Sequence, residues 1–76
     1  RQRGIGAIET GSRILDAFVA IGRPAMLRDL AESAGMTAAQ AHAYLVSFKS
    51  AGLVEQEDGS GLYRLGPKAL NLGLVR

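Results

Sequence analysis

The sequence predicts a mainly α-helical domain with a small β-hairpin, arranged as a winged helix-turn-helix. Residues 27–54 have the pattern of a short amphipathic helix, a glycine turn, a longer amphipathic helix and a strand. A second strand then follows a glycine-rich turn, which indicates a hairpin over residues 53–65. We therefore expect three helices, a two-stranded wing and the start of a fourth, linker helix.

The first helix is expected to begin at Thr10 or Ser12, because either hydroxyl can cap it. Apolar side chains then recur at helical spacing, namely Ile14, Leu15, Phe18, Val19 and Ile21. Gly22 and Pro24 end this helix, since neither residue continues one. Residues 1–7 contain arginine and glycine without an apolar period, and we expect a flexible arm there.

The second helix is expected near residues 27–34, and Gly35 ends it. Its inward side chains are predicted to be Leu27, Leu30, Ala31 and Ala34. Thr37 can cap the third helix, and Gln40 stands at the offset of a capping box. The third helix turns one stripe to the core, formed by Ala41, Tyr44, Leu45 and Phe48. Gly52 closes it.

The remaining elements are shorter. Residues 25–26 are expected to form a short strand, and residues 58–61 the turn of the wing. Pro67 suits the first turn of a last helix over residues 68–76. Because that helix is apolar on nearly all sides, we expect a second copy or a further domain to cover it. The chain lacks an initiator Met and stops inside this helix, as an excised N-terminal domain would.

The composition excludes several functional classes. Seventy-six residues make one small domain, and the absence of cysteine excludes disulfides and thiolate metal sites. No apolar stretch is long enough to span a bilayer and no secretory signal opens the chain, so we expect a cytoplasmic, nucleoid-associated protein without a membrane partner. The single histidine has no partner ligands, and no nucleotide-binding loop or acid pair is evident. We expect neither an enzyme nor a cofactor.

The third helix, residues 38–51, has the size of a DNA recognition helix. The face opposite its core stripe holds Ala39, Ala43, Val46 and Ser50. The candidates for base readout are Thr37, Ala38, Ala39, Gln40 and Ala43. Gln40 can make a two-point contact with adenine, and alanine methyls can touch the thymine methyl, which predicts a site rich in A·T pairs. Alternatively, these alanines only favour helix formation or face another protein, in a winged-helix interaction module that does not bind DNA.

Nine Lys and Arg against seven Asp and Glu give a net charge of only +2, so the position of the charges decides whether DNA can bind. The candidates for phosphate or groove contacts are Arg1, Arg3, Arg28, His42, Ser47, Lys49, Ser60 and Arg64. Arg28 is the strongest, because the start of the second helix approaches the DNA backbone in this fold. Arg1 and Arg3 could enter a narrow minor groove. Each of these arginines could equally be a solvated surface residue.

The wing carries acidic residues that would repel phosphate if they faced it, namely Glu55, Glu57 and Asp58. Strand alternation places Glu55 and Glu57 on one side, away from Gln56. We therefore expect only the tip of the wing, residues 59–61, and Arg64 to approach DNA.

Four segments resemble a known family: ILDAF in the first helix, LRDLAESAGM across the turn, AHAYLVSFKSAGLV, and GLYRLGPKALNLG at the end of the wing. Over residues 8 to 75 the chain resembles the DNA-binding domain of the IclR (isocitrate lyase regulator) family of bacterial transcription factors. The resemblance implies a DNA-binding domain at residues 8–66 and, at residues 67–76, the start of a linker helix to a larger C-terminal domain that binds a small metabolite.

The resemblance also implies a homodimer or tetramer, with the first helix and the linker helix contributing to dimerisation through Ile14, Phe18, Leu70 and Leu74. The expected function is that of a bacterial transcriptional regulator that inserts helix 38–51 in the major groove of a pseudo-palindromic operator. Any small-molecule effector would bind only through the absent C-terminal domain.

The recognition helix departs from the family pattern, which has small hydroxyl residues at its start and then an arginine. Here Ala39, Gln40 and Ala41 stand at the hydroxyl positions and Ala43 at the arginine position, while His42 matches a common histidine. With one strong hydrogen-bonding reader, we expect modest sequence specificity and an affinity that comes mostly from phosphate contacts.

Overall fold

A computed structural model describes residues 2–76 and has the predicted winged helix-turn-helix order. The elements are α1 (Gly6–Ile21), α2 (Leu27–Ala34), α3 (Ala38–Ala51), β1 (Val54–Gln56), β2 (Tyr63–Leu65) and α4 (Pro67–Leu74). The bounds of α2 and α3 agree with the prediction. Within residues 2–76, no helix combines the length and the apolar character that crossing a membrane requires.

Helix α1 begins earlier than the sequence pattern suggested. Its N-cap is Ile5, and both Thr10 and Ser12 lie inside the helix, where the Ser12 hydroxyl donates to the carbonyl of Glu9 at 2.8 Å. The predicted cap was therefore wrong, and residues 6 and 7, assigned to the arm, are helical. An acidic Glu9 in the first turn suits the positive end of the helix dipole.

The turn between α2 and α3 is set by Gly35, which has φ +69° and so occupies the left-handed region that glycine tolerates. Its N–H donates to the carbonyl of Glu32, and the N–H of Met36 donates to that of Ala31. These two bonds satisfy the last carbonyls of α2 and direct the chain into α3.

One core joins the three helices to the wing. Ile14, Leu30 and Leu45, one from each helix, have no exposed surface, and Val54 and Tyr63 from the wing are also buried. Burying each large apolar side chain contributes about 1.5–3 kcal/mol. The orientation of α3 relative to α1 and α2 is therefore fixed by packing.

The wing is a two-stranded antiparallel sheet with the register Val54↔Leu65, Glu55↔Arg64 and Gln56↔Tyr63. The strand predicted at residues 25–26 is reduced to a single bridge, in which Ala25 and Tyr63 exchange backbone hydrogen bonds of 2.9 and 2.8 Å. This bridge attaches the wing to the connection between α1 and α2.

Helix α4 begins at Pro67, one residue before the predicted start, and ends at Leu74 with Val75 in an extended conformation, two residues before the predicted end. None of its residues is buried, and Leu70, Leu72 and Leu74 are 65%, 61% and 73% exposed. The apolar surface that the sequence predicted for this helix is thus uncovered within the described chain.

Candidate nucleic-acid interface

The outer face of α3 is bare. Ala41 and Leu45 have no exposed surface and hold the helix to the core, while Ala39 and Ala43 are exposed on the opposite side. Val46, on the same outer face, is 52% exposed. The exposure predicted for Ala39 and Ala43 is therefore confirmed. A helix about 10–12 Å wide with one uncovered side fits the width of the B-DNA major groove.

The first turn of α3 is fixed by a side-chain cap. The Thr37 hydroxyl oxygen accepts a hydrogen bond from the Gln40 N–H at 3.1 Å, as predicted. The reciprocal bond of a capping box is not formed among residues 2–76, and the Gln40 amide is exposed. Because the cap holds the backbone while the amide stays free, Gln40 can offer a donor and an acceptor to a base edge.

The flank of α3 next to α2 and the wing is basic. Arg28 lies in the first turn of α2 beside Ala38, and its side chain is 87% exposed. It lies 3.8 Å from Asp29, a surface ion pair of negligible strength. Further along, Lys49 Nζ donates to Gln56 Oε1 on the wing at 3.0 Å. Since helical spacing puts His42 between Ala38 and Lys49, this flank carries three of the predicted phosphate-contacting residues.

The other flank of α3 faces the N-terminal part of α1. Ser47 lies here, at the edge of an apolar groove lined by Ala7, Ile8, Leu15, Tyr44, Phe48 and Leu53. Helical spacing places Gln40 on the same side. Arg3 precedes this end of α1 and is exposed, whereas Arg1 lies outside the described residues. The predicted contacts are therefore divided between two flanks.

The wing separates its charges by face. Glu55 and Glu57 lie together on one side, as predicted, because both carboxylates contact the Arg64 guanidinium, at 3.1 and 3.3 Å. The sequence predicts that Arg64 approaches DNA, whereas here its guanidinium is paired with two carboxylates of the wing. Ser60, at the tip, donates to Glu57 Oε1 at 2.8 Å and accepts from the Leu62 N–H at 3.2 Å, so its hydroxyl stabilises the turn.

Arg13 joins α1 to the turn between α2 and α3. From α1, its guanidinium donates to the carbonyl of Ala34 through Nε at 3.0 Å and Nη2 at 2.6 Å, and to that of Gly35 at 2.9 Å. Ala34 is the last residue of α2 and Gly35 is its C-cap, and a cation at this end is favoured by the helix dipole. Sequence reasoning missed this role, because nothing local to residue 13 indicates which carbonyls it will meet.

The proposed dimerisation residues fall into two groups. Ile14 and Phe18 are 0% and 5% exposed, so the prediction that they face a second copy is wrong: they fill the protein's own core. A side chain packed among α1, α2 and α3 has no surface left for a partner. Leu70 and Leu74, in contrast, are open to solvent.

The site contains no arrangement suited to metal binding among residues 2–76, where no three His, Cys, Asp or Glu side chains are grouped. His42 is exposed on the basic flank of α3. What the site offers is an uncharged, bare helix face beside exposed cations, which is the arrangement that separates base readout from phosphate attraction.

Comparison with known proteins agrees with this geometry. Residues 7–58 match the family model described as the IclR helix-turn-helix domain. The chain is 37% identical over 71 residues to the glycerol operon regulatory protein of Streptomyces coelicolor, covering 93% of this chain and 28% of that protein. This chain therefore spans less than a third of the length of that relative.

Two solved structures have the same fold. The crystal structure of Pseudomonas aeruginosa HmgR superposes with a TM-score of 0.87 at 34% identity, covering 92% of this chain and 29% of that one. An IclR homolog from Microbacterium hydrocarbonoxydans, crystallised with 4-hydroxybenzoate, gives a TM-score of 0.80 at 22% identity, covering 90% and 28%. At that identity the second likeness concerns the fold alone.

Proposed function

This chain belongs to the IclR family as its helix-turn-helix DNA-binding domain, and we propose that it places α3 in the major groove of an operator as part of a bacterial transcriptional regulator. The observation that carries the proposal is the bare outer face of α3, where Ala39 and Ala43 are exposed opposite the buried Ala41 and Leu45. Such a regulator acts on the chromosome, so its proposed location is the cytoplasm and the nucleoid.

Base readout is assigned to the N-terminal half of α3, through Thr37, Ala38, Ala39, Gln40 and Ala43. Gln40 supplies the two-point contact to adenine, and the alanine methyls meet thymine methyls. The Thr37 hydroxyl oxygen already accepts the Gln40 N–H, which leaves its own proton and one lone pair for DNA. One amide reader and several methyl groups give an A·T-rich site with modest specificity.

Affinity is assigned mainly to phosphate contacts. Arg28 and Lys49 lie beside the reading face, and both are exposed. His42, Ser47, Ser60 and Arg3 extend the contact area along the flanks. For roughly six to eight phosphate contacts per dimer, log–log plots of affinity against salt should have a slope of about −5 to −7.

An electrophoretic shift with a random duplex at about 50 mM salt tests the proposal, followed by selection of bound duplexes from a random pool. Ala43→Glu should weaken binding about tenfold or more, because it puts a carboxylate against the groove. The matched control is Ala20→Glu, an exposed alanine on α1 with the same charge change, which should stay within about twofold. Ala43→Arg should tighten binding, since arginine can reach guanine or phosphate.

Two results would overturn the proposal. The first is a wild-type chain that shifts no duplex at low salt, which would indicate a protein-interaction module. The second is Ala43→Glu behaving like Ala20→Glu, which would mean that the outer face of α3 does not meet DNA.

The proposed regulator binds its operator as a homodimer. Leu70 and Leu74 on α4 are exposed, and the groove lined by Ile8, Leu15, Phe48 and Leu53 offers a second apolar surface for the contact. Two copies would read half-sites roughly 34–36 Å apart on a pseudo-palindrome. Sedimentation with and without operator DNA tests this, and one protomer per site at saturation would contradict it.

A small-molecule effector is proposed for the remainder of the regulator, as the resemblance to the IclR family implies. This domain would not bind the effector directly. Thermal shifts with a panel of small metabolites should therefore appear in the full-length protein and not in this chain. A shift of this chain alone would contradict the assignment.

A further inference from the structure

The two faces of the wing have opposite electrostatic character. In β1 and β2, Glu55 pairs with Arg64 across the sheet, and strand alternation brings Glu57 to the same face. Arg64 Nε lies 3.1 Å from Glu55 Oε1, and Arg64 Nη1 lies 3.3 Å from Glu57 Oε2. One guanidinium thus serves two carboxylates, and this outer face of the wing keeps a net negative charge.

The opposite edge of the wing adjoins α3. Lys49 Nζ donates to Gln56 Oε1 at 3.0 Å, and Gln56 Nε2 donates to the carbonyl of Gly61 at 3.1 Å. Both polar atoms of the Gln56 amide are therefore used to hold the lysine against the tip of the wing. The ammonium of Lys49 keeps two N–H donors for a phosphate oxygen.

The carboxylates of the wing would act on a DNA backbone that touches the tip. Glu57 Oε1 lies 2.8 Å from the hydroxyl of Ser60 at the tip, whereas screening at 0.1 M salt extends over about 10 Å. Two uncompensated carboxylates on the outer face would therefore repel phosphate even without contacting it. Arg64 removes part of this repulsion where it stands, without reaching the DNA.

We propose that Arg64 is the internal counter-ion of Glu55 and Glu57, a positioning residue that lets an acidic wing approach DNA, and that the wing meets the backbone through its Lys49–Gln56 edge. This inference rests on the proposed DNA binding. It replaces the phosphate contact that the sequence predicted for Arg64, and it adds Gln56, which the sequence analysis did not select.

A double-mutant cycle on DNA affinity tests the counter-ion role. Arg64→Gln is measured by fluorescence anisotropy at about 50 mM salt in the wild-type chain and in a Glu55→Gln/Glu57→Gln background. If Arg64 acts by holding the two carboxylates away from the phosphates, its loss should weaken binding about threefold to tenfold in the wild-type chain, because the released carboxylates can then turn toward the DNA. Once the carboxylates are neutral, the loss should be less than about twofold. A phosphate contact predicts an undiminished loss in both backgrounds.

Lys49→Gln is the matched control, because it removes the same charge from the other edge. It should weaken binding by a similar factor in both backgrounds and reduce the salt slope by about 0.9 per protomer. Thermal unfolding of each variant separates folding from binding. The variant with Glu55, Glu57 and Arg64 all replaced by Gln should bind like the Glu55→Gln/Glu57→Gln variant.

Equal losses for Arg64→Gln in the two backgrounds would overturn the proposal, and so would the absence of any loss in the wild-type chain. If Arg64→Gln does not fold, Arg64→Lys is measured in its place. This variant keeps the charge and should retain most of the affinity. A loss equal to that of Lys49→Gln would overturn the proposal. Failure of the wild-type chain to bind any duplex would instead refute DNA binding itself, so the two failures are distinguishable.

Discussion

The body formed by α1–α3 and the isolated α4 contain similar proportions of apolar residues but use them differently. In α1, the buried residues Ile14, Ala17 and Phe18 are spaced by three and four, so they form one stripe that packs on α2 and α3. In α4, Leu70, Leu72 and Leu74 are spaced by two, which places Leu72 on the opposite side from the other pair. The spacing of apolar residues along a helix, more than their number, therefore decides which of them one small core can bury.

The body and α4 also differ in the hydrogen bonds that attach them to the rest of the chain. Arg13 joins α1 to the end of α2 by three hydrogen bonds, the shortest at 2.6 Å. Helix α4 is attached at its start, where the Gly66 N–H donates to the carbonyl of Leu53 at 2.8 Å. The body is therefore expected to keep its structure alone, whereas α4 depends on what covers it.

The largest effect is expected for Ile14→Ala. Removing a fully buried side chain shared by three helices should lower the free energy of unfolding by about 2–5 kcal/mol. Urea denaturation of the chain measures it. Val19→Ala is the control, since Val19 is 74% exposed on the same helix and should change stability by less than about 0.5 kcal/mol. Equal effects of the two substitutions would contradict the assignment of Ile14 to the core.

A smaller effect is expected for Arg13→Ala. The loss of three charge-assisted bonds, two of them partly buried, should cost about 1–2 kcal/mol of stability. It should also weaken DNA binding, because the turn that orients α3 loosens. Arg23→Ala provides the comparison, since Arg23 makes one exposed bond of 3.4 Å to its neighbour's carbonyl. If both variants unfold at the same urea concentration, the hydrogen bonds of Arg13 do not stabilise the turn.

The smallest effect on stability is expected in α4. Leu70→Ser with Leu74→Ser should change the unfolding free energy of the dilute chain by less than about 0.5 kcal/mol, because both side chains are exposed. The same change should weaken self-association, measured by sedimentation equilibrium. Leu72→Ser, on the opposite side, should weaken it less. A loss of stability like that of Ile14→Ala would show that α4 packs on the body.

The elements that could be predicted are those with local signals. Thr37 caps α3, and Gly35 and Gly52 end the helices that flank the turn. The bounds of α2 and α3 are therefore set by residues adjacent to them in the sequence. The exposure of Ala39 and Ala43 follows from the position of the core stripe on the same helix. The start of α1 was misplaced because two hydroxyl residues resembled caps, although the helix had already begun.

The features that could not be predicted depend on residues far apart in the chain. Arg13 meets carbonyls 21 and 22 residues away. Arg64 meets Glu57 only once the hairpin has formed, and Lys49 meets Gln56 only once the hairpin has folded against α3. Ile14 and Phe18 have the same apolar pattern whether the surface that covers them belongs to this chain or to a second copy.

The amino-acid sequence alone was enough to predict the order of the helices and the wing, the family, and the free face of α3, because helical periodicity and caps act within a few residues. Only the folded chain shows which apolar side chains are buried in the core, which arginine binds the carbonyls of the turn, and which charges of the wing form ion pairs. These depend on the distances between side chains from separate elements, and such distances exist only once the helices and the wing have packed together.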